Sequence, residues 1–326
     1  MKKNIAVIGC GHWGKNLVRN FAALGSLAAV CDPNIELASG YASKYAVKNS
    51  TWDEIIQDAS IEGVVLAVPA PIHAPLAIDA MNAGKHVYVE KPLAMNKVEA
   101  IQMIETAKLN SVQLMVGHLL QYHPSFLMVK SLVESGELGH VNYIYSNRLS
   151  LGKIRSEEDV IWSFSPHDIS MILSLAGEEP ELIRTESTNI VQAGIADIAT
   201  IHLSFASGLK AHISVSWLHP NKEQKLVIIG DSAMAVFDDT KPWGEKLALY
   251  RHKVEFNGGL PNLNKSEVEY LDVEQSEPLR NECQHFMEVV TCGVEPLTDG
   301  CEGLRVLNVL SAASRSAEQN KAVRLA

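Results

Sequence analysis

Up to about Gly117 the chain alternates short apolar runs with stretches in which apolar residues recur at helical spacing. The runs are Ile5–Ile8, Leu27–Cys31, 64–68, 87–89 and 112–116. Between them, 12–24, Ile35–Tyr45, 71–83 and Lys97–Leu109 read as helices, and Gly84 stands where a glycine closes the third. Strands that are apolar on both faces predict a parallel sheet covered by helices on two sides.

The second half follows a different rule. Ile201, Leu203 and Phe205 alternate with His202 and Ser204, and Ala211, Ile213, Val215 and Trp217 alternate with His212, Ser214 and Ser216. That pattern predicts an antiparallel pair with one buried and one polar face. The apolar positions are odd-numbered on both strands, so the loop around 206–208 must hold an odd number of residues. Further strands are expected at 141–149, 226–229, 233–237 and Leu247–Tyr250, a loop at 258–265, and helices at about 280–291 and Gly300–Gln319. A length of 326 residues fits two domains at roughly 100–200 residues each. The change of pattern puts the boundary between 1–118 and 119–326, an α/β domain followed by an α+β domain with a large open, mainly antiparallel sheet backed by helices.

Composition narrows the partners. Net charge is −10, from 28 Lys+Arg against 38 Asp+Glu, which argues against a broad basic surface for nucleic acid. No run reaches the ~18 apolar residues of a membrane span. Lys2-Lys3 ahead of an apolar run resembles a secretory leader, but Lys15 and Arg19 come too early for one, so the expected compartment is the cytoplasm. Five cysteines without a C-x-x-C pair read as reduced packing residues, and no metal-ligand spacing appears; no metal is expected.

Gly9-Cys10-Gly11-His12-Trp13-Gly14 is G-x-G-x-x-G between the first strand and the first helix. Gly9 allows the tight turn, Gly11 lets backbone approach a pyrophosphate, and Gly14 lets helix and strand pack closely. The helix N-terminus supplies N–H groups and a positive dipole end for the phosphates. Asp32 ends the second strand 18 residues past Gly14, placed to accept hydrogen bonds from a ribose diol and to repel a 2′-phosphate. The first domain therefore reads as a doubly wound Rossmann domain binding NAD rather than NADP.

Glu90-Lys91-Pro92 follows the strand at 87–89, at the carboxyl edge where such a sheet holds its ligand. The glycine turn, Pro69 with His73, and Gly84-Lys85-His86-Val87 leading into Glu90-Lys91-Pro92 resemble the Gfo/Idh/MocA family of nicotinamide-dependent sugar and polyol oxidoreductases. The resemblance implies that Lys91 is the catalytic lysine and that a histidine on a second-domain helix, here His167, is its partner. In the family an aspartate often stands four residues before that histidine; Ser163 occupies the place here, so His167 is expected to act largely alone. Pro166-His167 is expected to open its helix, with Asp168 complementing the helix dipole. The cofactor contacts implied are Gly9, Gly11, His12, Trp13, Gly14, Asp32, Pro69, His73, Glu90, Lys91 and Trp162.

Tyr122-His123-Pro124, Arg148, Arg155 and the stretch 162–169 resemble the family's nucleotide-sugar 3-dehydrogenases, which oxidise UDP-N-acetylglucosamine or its uronic acid at C3. Arg148 and Arg155 suit a diphosphate or carboxylate, and Tyr122 or Trp162 an apolar ring face; surface pairing of either arginine with Glu157 or Glu158 is the competing reading. Substrate contacts are thus Lys91, Tyr122, Arg148, Arg155 and His167. An inositol or free-sugar dehydrogenase is the enzyme alternative, and a non-catalytic dinucleotide-binding sensor the alternative from another class. The uncharged polar face of His202, Ser204, His212, Ser214 and Ser216 predicts a homodimer or homotetramer built through the second-domain sheet.

Overall fold

The computed structural model describes residues 4–325. The chain divides into two units: residues up to Tyr122 with Ser276–Leu307, and His123–Gln275 with the residues from Asn308 onward. The expected cut after 118 falls four residues early, and a single cut is not enough, because 276–307 returns to the first unit.

In the first unit, β1 (Ile5–Ile8), α1 (Gly14–Ala23), β2 (Leu27–Cys31), α2 (Ile35–Tyr45), β3 (Lys48–Asn49), α3 (Trp52–Gln57), β4 (Gly63–Leu66), α4 (His73–Asn82), β5 (His86–Glu90), α5 (Lys97–Leu109) and β6 (Leu114–Gly117) alternate, all but the short β3 and α3 at expected places. The sheet is parallel, in the order β3-β2-β1-β4-β5-β6, so the strand order reverses between β1 and β4. Doubly wound sheets bind their ligands in that crevice. The apolar pattern alone does not predict α3, although Thr51 and Glu54 spell its start. Thr51 Oγ1 accepts from the Glu54 N–H at 3.3 Å, and the Glu54 carboxylate accepts from the Thr51 N–H at 2.9 Å.

The second unit holds α6 (Pro124–Glu134), β7 (Val141–Leu151), α7 (Val160–Ala176), β8 (Pro180–Thr188), β9 (Ile198–Phe205), β10 (Lys210–Ser216), β11 (Leu218–Gly230), β12 (Met234–Asp238), β13 (Leu247–Tyr250), β14 (Lys253–Asn257), β15 (Leu260–Asn264) and β16 (Val268–Tyr270). The chain ends in α8 (Pro278–Cys292), α9 (Gly300–Gln319) and β17 (Val323–Arg324). Nine strands form one sheet, β16-β13-β12-β11-β7-β10-β9-β8-β17, in which β7 and β10 run parallel and the other neighbours antiparallel. Ala211 faces Leu203 and Ile213 faces Ile201 across β10 and β9, which leaves the odd loop 206–208 that the alternation demanded. Gly208 makes its positive φ of 95° there. The expected loop at 258–265 is instead the second arm of a separate ribbon. Strand β15 pairs with β14 across Gly258-Gly259, whose φ of 61° and 84° build the tight turn.

Segment 276–307 returns to the first unit to complete its core. Phe286 of α8 packs edge-on to Phe21 (6.3 Å between centroids) and Tyr88 (5.7 Å), with Leu279, Cys283 and Val289 in the same cluster. Cys10 and Cys283 are packing residues as expected, whereas Cys292 and Cys301 are exposed free thiols.

In the second unit the fully buried Trp217 donates its indole N–H to Asp197 Oδ1 at 2.5 Å. Asp197 Oδ2 also accepts from the N–H groups of Ile190 and Val191, at 2.6 and 2.8 Å. Burial opposes the charge, but these donors outweigh it and hold the carboxyl below its ordinary pKa. A depressed folded pKa gives stability that is present above the unfolded value and lost as pH falls through the folded one. Asp197→Ala should cost roughly 2–4 kcal/mol in urea unfolding at neutral pH, because it strands buried donors. Its deficit relative to wild type should shrink below about pH 4; a constant deficit would place the stabilisation elsewhere.

Candidate active site

The first unit assembles a dinucleotide cradle from three strand ends. Gly9 has φ +88°, and a Cβ there would lie 2.3 Å from the Ala67 carbonyl oxygen. A Cβ on Gly14 would lie 1.9 Å from the Gly9 oxygen. A Cβ on Gly11 would meet nothing within 4 Å, so its backbone faces open space. Helix α1 begins just beyond, with no side-chain cap and no acidic residue in its first turn. Its leading N–H groups thus suit the pyrophosphate that the sequence calls for. Asp32 stands beside the turn: Oδ2 accepts from the Cys10 N–H at 2.6 Å and Oδ1 from the Asn34 N–H at 2.8 Å. Burial pushes the Cys10 thiol up to about 12, so it is no nucleophile.

Across the reversal point, Glu90 ends β5 and its Oε1 accepts from Trp13 Nε1 at 2.6 Å and from the Tyr88 hydroxyl at 3.2 Å. The glycine turn and the Glu90-Lys91-Pro92 segment are thereby tied by one side-chain bridge. His73 was expected to touch cofactor, but it is buried and serves the backbone instead. Its ring nitrogens lie 2.9 Å from the Pro92 and Val68 carbonyl oxygens, with burial holding it neutral. It clamps the loop carrying Lys91 to the loop carrying Pro69. Tyr122, expected at the substrate, is a core residue of the first unit. Its hydroxyl bonds Thr298 Oγ1 at 2.9 Å, and its ring packs on His285.

The second unit carries His167, Trp162, Arg148 and Arg155. Helix α7 begins at Val160 because Asp159 Oδ1 caps the Trp162 N–H at 3.0 Å. Pro166 therefore lies inside the helix, not at its start. Ser163 and His167 are one turn apart on one face, while Asp168 points about 100° away. That direction is its function. Asp168 is fully buried and takes Arg148 in a two-pronged bond (Nε to Oδ2 2.6 Å, Nη2 to Oδ1 3.0 Å) together with the Ser146 hydroxyl at 2.6 Å. The expectation that Asp168 complements a helix dipole is replaced by an ion pair that fixes α7 on β7. Arg148 is neutralised by the same pair and adds no net charge for an anionic ligand. Arg155 pairs with Glu158 on a partly exposed loop, a contact that costs little to exchange. Trp162 donates its indole N–H to Ser314 Oγ at 2.9 Å. Among the described residues no group of three or more His, Cys, Asp or Glu could hold a metal, and no helix is long and apolar enough to cross a membrane.

One residue of interest escapes pattern reading. Glu282 lies on the apolar stripe of α8, between Leu279 and Phe286, and is fully buried. A carboxylate at helical spacing within an apolar stripe is the available signal.

The glycines separate fold from ligand. Gly14→Ala should lower the melting temperature by several degrees, since it drives Cβ into backbone. Gly11→Ala should leave melting unchanged and weaken NAD binding about tenfold or more, read by calorimetric titration. Equal thermal loss in both variants would contradict this division.

Comparison with known proteins places both halves of the chain in one family. Residues 3–118 match the oxidoreductase family with an NAD-binding Rossmann fold, and residues 126–236 match the GFO/IDH/MocA C-terminal domain. The UDP-N-acetylglucosamine 3-dehydrogenase of Acidithiobacillus ferrooxidans is 28% identical over 92% of this chain and 93% of its own length. A solved structure of that enzyme superimposes with a TM-score of 0.85 at 25% identity, covering 98% of this chain and 99% of that one. The inositol 2-dehydrogenase of Rhizobium meliloti is 24% identical over the full length of both chains. With the NAD cradle and the second-domain sheet both matched, the chain belongs to the Gfo/Idh/MocA family and is an NAD-dependent oxidoreductase acting on CH–OH groups.

Proposed function

We propose that this chain oxidises a secondary hydroxyl, at C3, of a nucleotide sugar such as UDP-N-acetylglucosamine or its uronic acid. The observation that carries the reading is the likeness to the Acidithiobacillus ferrooxidans enzyme over nearly the whole of both chains, in sequence and in structure. Bound NAD+ supplies the hydride acceptor. Lys91 holds the substrate oxygen and stabilises charge on it, and His167 takes the hydroxyl proton, so the alcohol becomes a ketone with release of one proton. Ser163 cannot relay a proton as an aspartate would, which leaves that step to His167. Arg155, whose pairing with Glu158 is exchangeable, is the arginine suited to the diphosphate.

The polar face of β9 and β10 supports a two-fold assembly. His212 stacks on Tyr145 (5.3 Å, 4° between planes), accepts or donates at 2.9 Å with the Tyr143 hydroxyl, and neighbours His202. Ser216 is no part of this face, because it is buried at the strand end with its hydroxyl bonded by the Leu218 N–H. This aromatic patch on β7, β9 and β10, bordered by Lys210 and by the Arg184–Glu186 pair of β8, suits an isologous contact.

Mixing the protein with NAD+ and a panel of UDP-sugars and inositols should give NADH absorbance with a UDP-sugar, as a burst or as turnover. Turnover of an inositol without response to any UDP-sugar would establish the other substrate class. Lys91→Ala should abolish turnover with NAD binding intact, and His167→Asn should slow it roughly 10²–10⁴-fold. Glu at both Ser204 and Ser214 should split the assembly, read by light scattering; a monomeric wild type would remove this interface.

A further inference from the structure

Helix α7 carries His167, yet the two devices that normally fix a helix about its axis are weak here. Residues 168–173 are buried at every position, a span longer than one turn, so no apolar stripe selects the face that turns inward. Apolar contacts are also non-directional and tolerate small rotations. The helical ladder is interrupted just before the histidine. Pro166 has no N–H to give the Trp162 carbonyl, and a proline ring inside a helix pushes that carbonyl aside. The start of α7, capped by Asp159, therefore transmits its orientation poorly to residue 167.

The directional contact comes one residue later. Asp168 is fully buried and meets the Arg148 guanidinium edge to edge, Nε to Oδ2 at 2.6 Å and Nη2 to Oδ1 at 3.0 Å. Its Oδ1 also accepts from the Ser146 hydroxyl at 2.6 Å. Ser146 and Arg148 are two residues apart on β7, so both reach α7 from one face of a strand flanked by β10 and β11. Two parallel N–H···O bonds between planar groups fix angle as well as distance. Asp239, the other carboxylate acting on Arg148, is itself held by Lys246 at 2.6 Å and His123 at 3.3 Å. Buried ion pairs are a poor source of stability, since well-packed apolar residues commonly serve as well or better. What an apolar pair cannot supply is the geometry.

We propose that Asp168 and Arg148 are positioning residues for the reaction: the fork between them sets the rotation of α7 and thereby aims the His167 imidazole. This rests on the reading of His167 as the group that takes the hydroxyl proton. A helix with its side chains is about 10–12 Å across, so turning it by about 10° carries an imidazole sideways by about 1 Å. A displacement of about 1 Å at a reacting group costs up to about a hundredfold in rate. Arg148 thus serves the oxidation through His167 and not by contact with the sugar.

The test uses the whole chain with NAD+ and the sugar of the panel that it oxidises. Arg148→Lys keeps the charge and loses the fork. It should lower kcat about 10–100-fold while the sugar KM and the NAD+ affinity stay within about twofold of wild type. Asp168→Leu combined with Arg148→Met makes an apolar pair; it should melt at or above the wild-type temperature and still be as slow as Arg148→Lys. In a His167→Asn background Arg148→Lys should add no further loss, because both changes act on one step. Nuclear magnetic resonance of 15N-labelled histidine, recorded without sugar, gives a readout apart from activity. The His167 signal, identified by its absence in His167→Asn, should shift in Arg148→Lys and in the apolar pair, while those of His73 and His285 in the first unit stay. A raised KM with kcat unchanged, full activity in the apolar pair, losses that multiply in the His167→Asn background, or an unmoved His167 signal would each overturn the proposal. Full turnover in His167→Asn alone would overturn the proton-acceptor reading instead. Either replacement of the pair decides the matter where the other does not fold.

Discussion

Backbone meeting backbone at distances that exclude any side chain is the constraint on which the first unit depends. At Gly9 and Gly14 a single added carbon would fall inside the contact radius of a carbonyl oxygen. The first strand, the first helix and the end of β4 thus converge on a space a few ångströms across. This convergence brings the N-terminus of α1 to the crevice, and it places Trp13 where its indole reaches Glu90 on the other side of the strand-order reversal. Asp32 completes the arrangement from the β2 side by holding the Cys10 N–H. Loosening the glycine contacts would move all of these groups together.

An acidic chain has to dispose of the carboxylates it buries, and this one does so in three ways. Asp168 is neutralised by a cation, with Arg148 matched to both of its oxygens. Asp197 stays ionised on N–H donors alone, two from backbone and one from Trp217. Glu282 has no cation beside it among the described residues and no hydrogen bond of normal geometry, and burial together with the Glu90 carboxylate pushes its carboxyl well above the ordinary range. The first two solutions fix structure: one seats α7 on β7, the other anchors the turn before β9. Only the third leaves a group whose state responds to charge nearby.

Much of this fold is legible because each sheet obeys one simple rule. Strands buried on both faces announce themselves as apolar runs, and β1 and β2 lie where those runs do. The alternation in β9 and β10 fixes even the parity of their loop. The glycine turn and Asp32 are equally plain, since local spacing and chemistry define them. What stays hidden depends on tertiary placement. Asp168 reads as a helix-start charge until Asp159 is known to cap α7 and Arg148 to lie on the strand beneath it. Tyr122 and His73 carry groups that suit a ligand, and only burial shows that they hold backbone and core. The ribbon β14–β15 is obscured because its second arm carries Asn and Pro, residues that propensity assigns to loops.

The first unit is discontinuous in sequence: about 150 residues separate Tyr122 from Ser276. Phe286, Leu279, Cys283 and Val289 belong to the cluster around Phe21 and Tyr88, so that cluster stays open on one side until α8 has been made. At elongation rates of roughly 5–20 residues per second, the interval is on the order of ten to thirty seconds. Neither unit is complete when its own first strands have been made: the first waits for 276–307, and the second for the residues from Asn308 onward, whose β17 pairs with β8. Until α8 is made, Phe21 and Tyr88 lack the Phe286 ring that packs against both.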